Sequence, residues 1–205
     1  MSSPPTPTPG KAELRRSLLA ARRARSPERR RADAAALAAA LPAVLDGVPD
    51  PVCLFVAVGG EPGATPEGAL PVLDAARALG RRVLLPVTVG AAPLDWAAFT
   101  GRDSLGPGPH GLLEPVGPRL GPDAVADAGL VVVPALAVDH DGVRLGRGGG
   151  HYDRTLPLAG PHTRLVALVA DEGLVPGPLP AEPHDVPVHA VWRPATGLTP
   201  LPRLR

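Results

Sequence analysis

The sequence predicts an α/β fold with a mainly parallel central sheet flanked by helices. Three observations support that expectation. Short continuous apolar runs, VCLFVAV at 52–58 and GLVVVPALAV at 129–138 among them, read as strands buried on both faces. Segments with helical spacing lie between those runs, and strands that alternate with helices build parallel sheets. The 205 residues are 44% hydrophobic and 20% charged, which suffices for one good-sized domain with its own core.

Each element has a local reason. Over 11–41 the pattern is helical: KAELRRSLLAARRAR sets Leu14 and Leu18 on one stripe with charges around the rest. Ser26-Pro27-Glu28 supplies an N-cap, a proline at the first helical position and a first-turn acid, so a second helix opens there. VCLFVAV is the first strand, and PEGALPVLDAARALG at 66–80 follows as a helix closed by Gly80. RRVLLPV at 81–87 is the next strand and LDWAAF a short edge segment. GLVVVPALAV is the strongest strand, and TRLVALVA at 163–170 and VPVHAVWR at 186–193 complete the sheet. A single α/β domain is expected over 10–193, with a disordered tail at 1–9 and a Pro-rich tail at 194–205.

Composition narrows the function classes. Aromatic residues are only 2%, so the core must rest on Ala, Val and Leu. A net charge of +1 creates no global field for nucleic acid or membrane. The basic run RRARSPERRR lacks the interleaved aromatics that stack bases. Cys53 is the sole cysteine, which rules out an internal disulfide and a cysteine-cluster zinc site; it is expected in the core. Trp96 and Trp192 are expected as packing residues. No apolar stretch approaches the ~20 residues of a membrane span, so a cytoplasmic protein, monomeric or a weak homodimer, is the expectation.

The densest chemistry lies in RLGRGGGHYDR at 144–154. It follows the strongest strand after a short DHDG turn, and HYDRTL after it can open a helix. Glycines in that position let successive backbone N–H groups face one point, an anion-binding cradle at a helix start. Arg144 and Arg147 add donors suited to phosphate. Asp153, in the first turn, is placed to take a magnesium ion that bridges phosphates. The P-loop spelling is excluded, because Lys11, the only lysine, is followed by Ala12 where Ser or Thr is needed, and Pro5 stands where the first glycine belongs. The dinucleotide fingerprint fails too, because His151 stands where its last glycine belongs. A solvated hairpin or turn is the bland reading of the same residues.

VPALAVDHDGVRLGRGGGHYDR resembles the signature of the 5-formyltetrahydrofolate cyclo-ligases, also called methenyltetrahydrofolate synthetases. Pro134, Leu136, Asp139, Gly142, Arg144, Leu145, Gly146, Gly148, Gly150, Tyr152 and Asp153 all fit that pattern. KAELR resembles the family's opening helix, whose basic pair, here Lys11 and Arg15, contacts ATP phosphates. VAVGGEPGAT resembles a segment that holds folate through an apolar residue and a Glu, here Val56 and Glu61. GLLEP at 111–115 resembles a Glu-Pro segment near the pterin. PAEPHDVPVHAV resembles a stretch with a magnesium-binding Asp, here Asp185. Departures are Ala135 for Gly, Val138 for Phe, His151 for an aromatic and His189 for a frequent Asp.

The resemblance implies a three-layer α/β/α, NagB/RpiA/CoA-transferase-like fold and a specific reaction. Such enzymes convert 5-formyltetrahydrofolate and ATP to 5,10-methenyltetrahydrofolate, ADP and phosphate. It assigns the triphosphate to Lys11, Arg15, Arg144, Leu145, Gly146, Arg147, Gly148, Gly149, Gly150, His151 and Tyr152, with Arg147 and Lys11 as the catalytic cations. It assigns Mg²⁺ to Asp153 and Asp185, and reduced folate to Val56, Glu61, His110 and His151. Two other readings share the loop: a sugar-phosphate isomerase or CoA-transferase-like enzyme, and a nucleotide- or folate-binding relative without cyclo-ligase activity.

Overall fold

The computed structural model describes residues 10–182 and 185–202; the expected tail at 1–9 and His184 lie outside the described residues. Two helices open the fold, α1 (Lys11–Arg23) and α2 (Pro27–Val44). Ser26 starts the second as its spelling predicts, its Oγ accepting the Arg29 N–H at 3.2 Å. Then come β1 (Val52–Cys53), α3 (Pro71–Ala78), β2 (Val83–Val87), β3 (Asp95–Ala98), β4 (Leu105–Pro107) and β5 (Leu113–Pro115). The chain continues through β6 (Leu130–Pro134), β7 (Ala137–Val138), β8 (Arg144–Leu145), α4 (His151–Thr155), β9 (Arg164–Leu168), β10 (Ala190–Arg193) and β11 (Gly197–Pro200).

Seven strands form the central sheet in the order β11-β10-β9-β6-β1-β2-β3. The inner pairs β10–β9, β9–β6, β6–β1 and β1–β2 are parallel. The outer pairs β10–β11 and β2–β3 are antiparallel. The expected mainly parallel sheet is therefore present. Successive side chains of a strand point to opposite faces, and β6 shows the result. Leu130 and Val132 join a core with Leu37, Leu41 and Val44 of α2 and Leu73 of α3. Val131 and Val133 join a second core beneath Val125, Leu156 and Tyr152. Cys53, Trp96 and Trp192 are all fully buried in these cores, and burial pushes the Cys53 thiol well up from its usual range.

Several boundaries differ from the expected ones, each for a physical reason. The strand expected over 52–58 pairs only at Val52–Cys53, because 55–58 leave the sheet half-buried along a cleft. The helix expected from 66 starts at Pro71. Proline lacks the N–H an interior turn must donate but is well suited to the first turn. The run at 129–138 breaks after Pro134, and β7 pairs with β8 in a separate hairpin closed by the DHDG turn. Part of the expected tail at 194–205 is instead ordered as β11, which covers the edge of β10. Among the described residues no helix is long and apolar enough to cross a membrane.

From β1 the chain runs outward to β2 on one side and later returns to β6 on the other. Strand order therefore reverses between β1 and β6. A crevice opens at such a switch point beyond the carboxyl ends of the strands, where ligands of open α/β sheets bind.

Candidate active site

A cleft of about 940 Å³ occupies that crevice. Its floor comes from the ends of three parallel strands: Val56, Val58 and Glu61 beyond β1, Thr88 beyond β2, and Pro134, Ala135 and Leu136 beyond β6. Helix α1 forms one wall and the glycine segment another. The hairpin β4–β5 closes the far side with Leu112, Leu113 and Glu114.

The structure brings almost every residue singled out from the sequence to this one cleft. Lys11, Arg15, Val56 and Glu61 line it. So do all ten residues from Arg144 to Asp153, and Asp185. His110 belongs to the turn Pro109–Gly111 at its edge; its side chain lies outside the described residues. His189 is not among the lining residues: its Nδ1 accepts the Leu165 N–H at 3.1 Å, inside the sheet.

The glycine segment is shaped by positive φ angles at two positions. Gly148 sits at +103° and Gly150 at +67°, where a side chain is strained. Gly150 is the left-handed N-cap of α4, and its neighbour Arg154 braces the turn through Nη2 to the Gly149 carbonyl at 3.1 Å. Arg154 also meets His151 Nδ1 at 3.3 Å. Arg15 Nε donates to the Gly146 carbonyl at 3.1 Å, tying α1 to this segment.

The charged residues are less interchangeable than the sequence suggests. Arg144 and Leu145 form β8 and not the loop itself. The Arg144 side chain, only 5% exposed, donates to the Val186 carbonyl and pairs with Asp153. It thereby joins the two segments that carry the candidate metal carboxylates Asp153 and Asp185. Asp185 Oδ2 accepts the Glu182 N–H at 2.8 Å, and Glu182 lies 3.4 Å from Lys11 Nζ. Arg147 stands apart, 63% exposed, with Nη1 3.8 Å from Glu61.

Arg22 is a cleft residue that the sequence reading missed. It is 6% exposed, lines the cleft, and donates from Nη2 to the Ala135 carbonyl. Burial pulls its pKa down, with Glu61 opposing and the cations Arg25 and Arg147 reinforcing. A signal was present: Lys11, Arg15 and Arg22 are spaced i, i+4 and i+11, one face of an α-helix. Gly60 explains how Arg22 meets the β1 loop, since a Cβ there would lie 2.8 Å from the Arg22 carbonyl. The Tyr152 hydroxyl is enclosed without a hydrogen-bond partner among the described residues, and burial pushes its pKa upward.

The model of the 5-formyltetrahydrofolate cyclo-ligase family matches residues 7–194. The chain belongs to that family. A protein of Mycolicibacterium smegmatis named 5-formyltetrahydrofolate cyclo-ligase is 42% identical over 155 residues, 73% of this chain and 76% of its own length. The solution structure of 5,10-methenyltetrahydrofolate synthetase from Aquifex aeolicus superposes with a TM-score of 0.71 at 27% identity. That alignment covers 95% of this chain and 94% of the other. The 5,10-methenyltetrahydrofolate synthetase of Mycoplasma pneumoniae, 17% identical, shares the fold with a TM-score of 0.66 over 88% of this chain and 96% of its own.

Within this cleft Glu61 is harder to ionise than a free carboxyl. It is 8% exposed, and burial pushes its carboxyl up from the ordinary range. The Val58 N–H, at 3.0 Å, and the cations Arg22 and Arg147 only partly offset that rise. A carboxyl with a raised folded-state pKa favours folding below its unfolded pKa and opposes it as pH rises through the folded value. Glu61→Gln keeps an oxygen for Val58 and removes the charge. The variant is expected to melt higher than wild type near pH ~7.5, the gap closing as pH falls toward the ordinary Glu pKa of about 4.3. Thermal melts across that range check the sign.

Proposed function

We propose that this cleft carries out the ATP- and Mg²⁺-dependent conversion of 5-formyltetrahydrofolate to 5,10-methenyltetrahydrofolate, releasing ADP and phosphate. One observation carries the reading beyond family membership. The cations of α1 and the glycine segment share a single cleft with the half-buried Val56 and the buried Glu61, and the two sets meet at Arg147 and Glu61.

The chemistry needs charge neutralisation and alignment more than a protein nucleophile. A formyl amide is a weak electrophile whose direct ring closure must expel oxide or hydroxide. In the proposed path its oxygen attacks the γ-phosphorus of ATP and ADP departs. The N10 lone pair then attacks the formyl carbon, the carbon–oxygen bond to phosphate breaks, and the N10 proton leaves. Lys11, Arg15 and Arg147, with the backbone of 146–150, hold and neutralise the triphosphate, so the gain comes from positioning and preorganised charge. Tyr152 shapes the wall behind them, and Val56, Glu61 and His151 face the folate. In this assignment Arg144 acts by fixing Asp153, since its guanidinium is already engaged.

Asp153 and Asp185 fit a magnesium ion by donor chemistry. Both are carboxylates on the same cleft, joined through Arg144 and Val186. Mg²⁺ takes one or two carboxylates and completes its shell with phosphate oxygens and water. Bound there, it would neutralise developing phosphate charge.

Purified protein given ATP, Mg²⁺ and 5-formyltetrahydrofolate is expected to produce the absorbance of 5,10-methenyltetrahydrofolate, with ADP in equal amount. Omission of ATP or addition of a chelator should abolish it. No product under the complete conditions would leave a nucleotide- or folate-binding relative; isomerisation of a sugar phosphate instead would point to the related enzyme class.

A further inference from the structure

Charge is distributed unevenly along the cleft. Helix α1 contributes Lys11, Arg15, Arg22 and Arg23 to its lining. Lys11 and Arg15 are engaged near the glycine segment, and Arg22 is buried on the Ala135 carbonyl. Arg23 is different: it is exposed, lines the same cleft, and has no hydrogen-bond or ion-pair partner among the described residues. At 1.5 Å rise per residue it lies about 12 Å along the helix beyond Arg15 and about 18 Å beyond Lys11. That exceeds the reach of a triphosphate held on the first turns.

Another stretch of the lining has the reverse character. Thr88, Leu94, Leu112 and Leu113 line it together with Glu114, and neither Lys nor Arg from β2, β3 or β5 joins them. Glu114 is buried and accepts the Thr88 N–H through Oε1 at 3.0 Å. Such a wall accepts N–H donors and repels carboxylates. A reduced folate is a polar dipole in the same sense: its head is an aminopyrimidine rich in N–H donors, and its other end is a glutamate with two carboxylates.

We infer that Arg23 binds the glutamate carboxylates of the folate. The inference rests on the cyclo-ligase reading and adds to it a residue that selects for the glutamate end. The buried Arg22 beside it sets the position, because Gly60 packs on its backbone and carries the folate-facing loop to the same turn of α1.

The test compares two substrates and two proteins: 5-formyltetrahydrofolate and 5-formyltetrahydropteroate, which lacks the glutamate, with wild type and Arg23→Gln. The variant is expected to raise KM about three- to tenfold for the glutamate-bearing substrate, the size of one solvent-exposed charge-assisted contact. KM for the pteroate and for ATP should be unchanged, and the difference should shrink with added salt. Arg23→Lys should recover part of the loss. An equal rise for both folates, a rise for ATP, or no change with either folate overturns the proposal. Calorimetric Kd values for the same four combinations give the same comparison without turnover, so failure of the reaction and failure of the Arg23 contact are read separately.

Discussion

Arg147→Ala is expected to lower kcat/KM by about 10²–10³-fold, the range for removing one preorganised charge-stabilising group. Stability should change by no more than ~0.5 kcal/mol, as for an exposed side chain. The structure supports both halves of that expectation. Arg147 sits in the glycine segment, points along the cleft and is 63% exposed, so its removal leaves no cavity. Among the described residues its ion-pair neighbour is Glu61 at 3.8 Å. Steady-state kinetics with a matched thermal melt separate the outcomes. A variant within a few-fold of wild type would remove Arg147 from the catalytic role; a large drop in melting temperature would make the residue structural.

Asp153→Asn is the second large effect, and it should act on two properties at once. The residue is a candidate magnesium ligand and also the counter-charge of Arg144, whose side chain is 5% exposed. Breaking a fully enclosed ion pair costs ~3–5 kcal/mol. Here Asp153 is 36% exposed and solvent screens part of the loss, so about 1–3 kcal/mol is expected. Activity should fall by at least the ~10–100-fold that losing even an outer partner of a metal ligand costs. Raised Mg²⁺ should restore some of it. The double variant Arg144→Met/Asp153→Asn separates the two roles, because it removes the orphaned cation as well. It should regain stability over the single variant but not turnover. Full activity in Asp153→Asn would eliminate its metal role.

Much of the fold was legible because local and global signals agree. Ser26 and Pro27 start a helix wherever they are placed before an amphipathic run, and the alternation of Leu130 to Val133 needs two buried faces whatever packs on them. The overlong first strand has a specific cause. Phe55, Val56 and Val58 line the cleft half-buried, yet in sequence they are indistinguishable from core residues of a longer strand. Apolarity reports contact with nonpolar matter, not whether protein or ligand supplies it.

The site was legible to the extent that its chemistry is contiguous. The glycine segment carries its candidate anion-binding chemistry in consecutive residues. Arg22 does not: its neighbours Ala135 and Gly60 are distant in sequence, and an arginine in an Arg-rich helix looks like solvated surface until the sheet is built. The pairing of Arg144 with Asp153 was likewise not visible before the fold was built.

The ion pairs at the two ends of α1 are unequal. At its carboxyl end Arg25 pairs with Asp33 at 2.7 Å and Glu172 at 2.9 Å, while Arg29 joins Asp33 to Asp171. At the amino end, among the described residues, Lys11 pairs with the exposed Glu182 and Arg15 donates to the Gly146 carbonyl. Segments with few buried contacts open at the lowest free energy. The tip that carries Lys11 is therefore the cheapest part of the wall to displace, whereas the turn carrying Arg22 and Arg23 keeps its place.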